Sequence, residues 1–168
     1  TVPSYTAIVM KAAALLMQEN PSANRAILGL PLFKGLFQFH NTDISVAVEK
    51  NLPYLPGLAF ATPIRGTAEK SLLEITAELQ ALAKCDETNH SVYAQYIRIL
   101  KWVPRPLSNF LINLPHYFPI LWAKYRGCAA WVNAPSKDGA DLVTTTWPWP
   151  LTFSFGLVKK RPFVINDK

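Results

Sequence analysis

Acid–base or nucleophilic chemistry in this 168-residue chain rests on few side chains: three histidines, His40, His90 and His116, and two cysteines, Cys85 and Cys128. An imidazole moves protons most readily near neutral pH. A thiol becomes a strong nucleophile once a base has taken its proton. A pair such as Cys128 with His116 would supply both functions, but no spacing marks such a pair, and each histidine reads as a surface or packing residue. The cysteines lack metal-ligand spacing, so no metal is expected. They fit free thiols in a reducing, cytoplasmic compartment.

The formal net charge is +6. The basic residues are dispersed, apart from the cluster Lys159-Lys160-Arg161. Such a balance attracts anions, including phosphorylated cofactors and acidic membranes. No basic stripe with interleaved aromatics is present, which argues against nucleic acid as a partner. Hydrophobic residues make up 50% and charged residues 17%, a composition that excludes disorder. The length suits one domain with its own core. No signal peptide opens the chain and no initiator Met is present, so the start reads like the middle of an ordered domain.

These side chains must be positioned by short elements, because fourteen prolines punctuate the chain. Ser4 is a good N-cap for a helix with Ile8, Ala12, Leu15 and Leu16 on one apolar face, widened by Val9 and Ala13 and stopped at Asn20-Pro21. Leu36-Phe37-Gln38-Phe39 and Asp43 to Val48 alternate as strands do. The stretch Asn51 to Gly57 reads as a loop, and Leu58 to Ile64 as a strand. Ser71 and Glu74 form a capping-box pair opening a helix with Leu72, Ile75, Leu79 and Leu82 on one face. Between Pro106 and Ala123 no residue is charged. Prolines, asparagines and His116 interrupt that run, which argues against a spanning helix. The segment from Ser91 to Tyr125 reads as a buried hairpin, an oligomer contact or a peripheral membrane contact. Cys128 to Val132, Leu151 to Val158 and Arg161 to Ile165 read as strands. Asn133 to Gly139 has turn chemistry, and Asn166-Asp167-Lys168 looks like the start of a hairpin turn. Mixed helices and strands suggest an α/β sandwich.

Several stretches, in order, resemble the catalytic domain of the dihydrolipoamide acyltransferases of 2-oxo acid dehydrogenase complexes. An alanine-rich helix is followed by Pro21 and, three residues on, Asn24. Asp43-Ile44-Ser45-Val46-Ala47-Val48 is followed by Pro63-Ile64-Arg65 and then Lys70-Ser71-Leu72-Leu73-Glu74-Ile75. Gly156-Leu157-Val158 leads into Lys159-Lys160-Arg161-Pro162-Phe163-Val164. The resemblance covers roughly residues 4–83 and 127–168. It implies a chloramphenicol-acetyltransferase-like fold, a mixed β-sheet sandwich flanked by helices, as one acyltransferase-like domain over residues 1–168, incomplete at both ends. It also implies acyl transfer between a dihydrolipoyl thiol and a coenzyme A thioester, a homo-oligomer built on trimers, and a lipoyl domain or acyl carrier as partner. Ser45 and Arg65 become substrate-channel candidates.

The family's base is a histidine in a His-x-x-x-Asp-Gly motif, which none of His40, His90 and His116 matches. On the resemblance, that histidine falls beyond Lys168. The family also places a hydroxyl residue just before an asparagine near the reaction centre, where it helps hold the oxyanion. Here that pair is Val132-Asn133. Asn133 and Ser136 are therefore the oxyanion or turn candidates, and Asn133 also reads as a plain turn residue. Two further readings stand beside the acyltransferase: a non-catalytic oligomeric scaffold of the same fold, and a membrane-surface acyltransferase with a different acceptor.

Overall fold

The computed structural model describes residues 2–52, 55–133, 148–156 and 158. Helix α1 spans Tyr5–Glu19. It opens on Ser4, whose hydroxyl accepts from the Ala7 N–H at 3.1 Å, satisfying one of the amides a helix start leaves unpaired. The stripe Ile8, Ala12, Leu15 and Leu16 lies outward, contrary to expectation: Ile8, Leu15 and Leu16 are 45%, 40% and 41% exposed. The buried face is Ala7, Met10, Ala13, Ala14 and Met17. This helix is apolar nearly all round, so periodicity could not choose the face. The alanines let the backbone come close to the sheet, which branched side chains would prevent.

A two-stranded antiparallel ribbon follows, β1 (Arg25–Leu30) and β2 (Phe33–Gln38). The main sheet has β3 (Ile44–Leu52), β4 (Leu55–Ile64), β5 (Ala130–Asn133) and β6 (Leu151–Ser154) in the order β4-β3-β5-β6. β3 and β4 are antiparallel, whereas β3–β5 and β5–β6 are parallel. The loop expected over residues 51–57 is shorter than read, since β3 runs to Leu52 and β4 resumes at Leu55. Strand β4 is an edge strand, where proline costs least because its missing N–H can face outward.

Helix α2 (Leu72–Ala83) carries the full capping box between Ser71 and Glu74. Those hydrogen bonds hold the Glu74 carboxyl below its ordinary pKa. Ile75 and Leu82 are buried, with Leu72 and Leu79 half-buried, as the periodicity predicts. Three short helices follow: α3 (Ser91–Trp102), α4 (Arg105–Asn113) and α5 (Pro119–Tyr125). Among the described residues no helix is long and apolar enough to cross a membrane.

The sheet has two unlike faces. Ile44, Val46 and Lys50 alternate onto one, and the Lys50 ammonium donates to the Ala83 and Cys85 carbonyls at the end of α2, each at 2.7 Å. That side is the helix-covered side. Ser45 alternates onto the other face, in register with Trp131.

Candidate active-site face of the central sheet

Parallel strands expose their carboxyl ends together, where open α/β sheets commonly bind ligands. Here the ends of β5 and β6 bring Asn133 opposite Ser154 in register. Both side chains therefore share the face of Ser45 and Trp131. An amide N–H and a hydroxyl side by side are two donors suited to a developing oxyanion. Among the described residues the Ser154 hydroxyl oxygen is buried without a hydrogen-bond partner. Sequence reasoning missed Ser154, because its only signal is the β5–β6 pairing, which spacing along the chain does not reveal.

Val132 lies on the opposite, helix-covered face, in register with Val46 and fully buried. A hydroxyl at position 132, where the family has one, would here point into the helix-packed core. Ser136 lies outside the described residues, as do the rest of the expected turn after Asn133, the basic cluster at 159–161, the strand over 161–165 and the hairpin start at 166–168.

On this same face lies an aromatic stack. Trp131 and Trp149 are 4.4 Å apart between ring centroids, and Trp149 lies 5.7 Å from Trp122. The Arg126 guanidinium sits 4.9 Å over Trp149 and donates to the Ile112 carbonyl at 3.2 Å. The Arg126 carbonyl accepts from both Ser45 Oγ (2.6 Å) and Trp149 Nε1 (3.0 Å). Ser45, expected in a substrate channel, is fully buried and holds this stack to β3. Arg65 is engaged with the Asp43 carboxylate and with the Ala123 and Lys124 carbonyls at the end of α5. Asn24 works similarly at the base of the ribbon: its amide donates to the Phe39 and Asn41 carbonyls and accepts from the Ala129 N–H.

The histidines and cysteines do not assemble into a nucleophile–base pair. Burial pushes the Cys128 thiol up to about 11, so it stays protonated at neutral pH. His116 packs against Trp122, with its Nδ1 buried and without a hydrogen-bond partner among the described residues. Burial, and then the charges of Lys34 and Arg126, hold its pKa below the ordinary value. His90 caps α3, its Nδ1 accepting from the Tyr93 N–H at 3.1 Å. It also borders a cleft of about 470 Å³ shared with Cys85, Lys84 and Glu78. His40 is exposed.

No family model matches the sequence, and no curated protein matches it. Solved structures do. A probable dihydrolipoamide acetyltransferase from Listeria monocytogenes gives a TM-score of 0.60 at 20% identity, over 98% of this chain and 55% of that one. The dihydrolipoamide acetyltransferase of Azotobacter vinelandii, solved to define the roles of a serine, a histidine and an asparagine in catalysis, gives 0.60 at 18%, over 98% and 54%. The cubic core of a pyruvate dehydrogenase multienzyme complex gives 0.59 at 18%, also over 98% and 54%. The chain thus spans just over half the length of these structures. Its fold is that of the dihydrolipoamide acetyltransferase cores, a mixed sheet flanked by helices, as the resemblance implied.

Proposed function

We propose that this chain carries part of a thioester-dependent acyltransferase site, one that moves an acyl group between coenzyme A and a dihydrolipoyl-type thiol. The observation that carries the reading is the fold match along nearly the whole chain. In such a reaction a base takes the thiol proton, and the thiolate adds to the thioester carbonyl. The tetrahedral oxyanion then collapses as the other thiolate leaves and is protonated. Asn133 and Ser154 are the donors this chain offers that oxyanion. The proposal takes the base from outside residues 1–168, since no histidine here precedes Asp-Gly at the family's spacing. Two buried free thiols suit a cytoplasmic setting. We take the working form to be a homo-oligomer, trimeric on the resemblance, with a lipoyl domain or acyl carrier presenting the acceptor. Ribbon residues Phe33 and Leu36, 78% and 64% exposed, are the kind of surface that an assembly covers.

The test is acetyl transfer from acetyl-coenzyme A to dihydrolipoamide by protein expressed with the coding sequence beyond Lys168. Turnover that Asn133→Ala or Ser154→Ala lowers by about 10²-fold supports the reading. An oligomer without turnover supports the non-catalytic scaffold. A second reading, an acyltransferase working at a membrane surface, is favoured by the exposed apolar residues of α4 and α5.

A further inference from the structure

We propose that the face built by α3, α4 and α5 docks on an anionic lipid bilayer. Helix α4 is packed inside out: it buries Ser108 and leaves Leu107 and Phe110 51% and 53% exposed. The Phe110 ring stacks on Tyr117 at 6.4 Å, which joins α4 to the approach to α5 in one patch. In the same segment of the chain, Trp102, Phe118 and Ile120 are 81%, 46% and 82% exposed. Helices α4 and α5, nine and seven residues long, suit lying in the plane of an interface.

Charge selects the occupant. From Glu87 to Asp138 the sequence holds no carboxylate between those two residues, while Arg98, Lys101, Arg105, Lys124 and Arg126 all fall in that stretch. Arg98, Arg105 and Lys124 are exposed. The Lys101 ammonium is 2.6 Å from Glu87, and Arg126 is turned toward Ile112 and Trp149. A two-fold contact between copies of this chain would set Arg98, Arg105 and Lys124 against their own copies, with no carboxylate from residues 88–137 to answer them. An anionic surface answers the exposed Arg98, Arg105 and Lys124, at a strength that falls with salt. Trp102 and Ile120 stand with more than four-fifths of their surface in water. Tryptophan beside basic residues is also the composition favoured at a membrane–water boundary.

The test needs no acyl transfer, so its failure and that of the acyltransferase reading are separate events. The chain is sedimented with vesicles of phosphatidylcholine alone and of phosphatidylcholine with about one-third phosphatidylglycerol. Expected is binding at least about tenfold stronger to the anionic vesicles and lost at high salt. Phe110→Ser with Ile120→Ser should weaken it about tenfold, and Arg105→Glu with Lys124→Glu should abolish the preference for anionic lipid. Brominated lipid should quench tryptophan fluorescence in the unaltered chain and quench it less in Trp102→Phe, a readout that does not depend on the surface variants folding. Equal binding to both vesicles, no binding to either, or unchanged binding by the serine variant would overturn the proposal. So would vesicle-free light scattering in which the serine variant alone loses a dimer, because that makes the face a contact between copies.

Discussion

The Oδ2 of Asp43 lies 2.6 Å from Nη1 of Arg65, and this ion pair sits where three elements converge. Arg65 also donates to the Ala123 and Lys124 carbonyls at the C-terminal end of α5. The other Asp43 carboxylate oxygen accepts from the Gly66 N–H at 2.8 Å, and the Asp43 carbonyl accepts from the Cys128 N–H at 2.9 Å. One residue thus sets the start of β3, the end of β4 and the approach to β5, which carries Asn133.

Asp43→Ala should therefore cost more than Arg65→Ala. The first removes a buried acceptor from the Arg65 guanidinium, the Asn41 amide and the Gly66 N–H at once, a loss of about 3 kcal/mol. The second removes a side chain that is 48% exposed, so solvent screens much of the pair and about 1 kcal/mol is expected. Arg65→Lys should recover little, because an ammonium cannot reach a carboxylate and two carbonyls with a planar fork. Urea unfolding of the three variants checks the order. Equal losses for Asp43→Ala and Arg65→Ala would contradict it.

Gly127 is a sharper test of the same junction. Its φ is +72°, and a Cβ there would collide with the Asp43 carbonyl and approach the Pro63 side chain. Gly127→Ala combines left-handed strain with a backbone clash, so about 2–4 kcal/mol should be lost. Gly57, with φ +70° and nothing near an added Cβ, isolates the strain alone. Gly57→Ala should cost about 1 kcal/mol. Thermal melts of the two variants give the comparison, and equal midpoints would remove the clash argument.

The legibility of the sequence followed how local the signal was. The capping box at Ser71 and Glu74 and the single apolar face of α2 are contained within a few residues, and α2 formed as read. The buried face of α1 was misjudged because the choice between Ala7–Met10–Ala14 and Ile8–Leu15–Leu16 is made by a sheet distant in the chain. Strand β1 was missed, since Arg25–Leu30 contains a glycine and gains its pairing from β2. At the candidate site, Asn133 is a candidate through the resemblance alone. Its neighbour Ser154 and the inward direction of Val132 depend on strand register, which no spacing in the sequence encodes.

Val132→Ser tests that direction. Were residue 132 turned toward the reacting groups, a hydroxyl there would aid oxyanion stabilisation. On the helix-covered face it is a polar group in an apolar core, expected to cost about 2 kcal/mol with no gain in acetyl transfer. Chemical denaturation and the acetyl-coenzyme A assay are read together. A stable variant with a raised rate would place position 132 on the Asn133 face after all.

His116 should make stability depend on pH, without contributing a base to catalysis. Its folded pKa is depressed, first by burial and then by Lys34 and Arg126. Between that value and the ordinary one near 6.5, the unfolded chain binds more protons than the folded one. The stabilisation from keeping this imidazole neutral is therefore complete above about pH 6.5 and is lost as pH falls below it. The lowered Glu74 and Asp86 carboxyls act separately: their contributions are present above their ordinary values of 4.5 and 3.8 and disappear as pH falls through the depressed ones. Melting midpoints from pH 7 to pH 5 should thus fall for the native sequence and fall less for His116→Gln, which keeps a polar side chain of similar size but cannot charge. Parallel curves would show that His116 is not the titrating group. In the acetyl-transfer assay the 168-residue polypeptide should show no turnover, with or without His116→Ala, because none of its histidines precedes Asp-Gly at the family's spacing. Turnover that His116→Ala abolishes would make this imidazole the base and move the reaction centre to the α4–α5 turn.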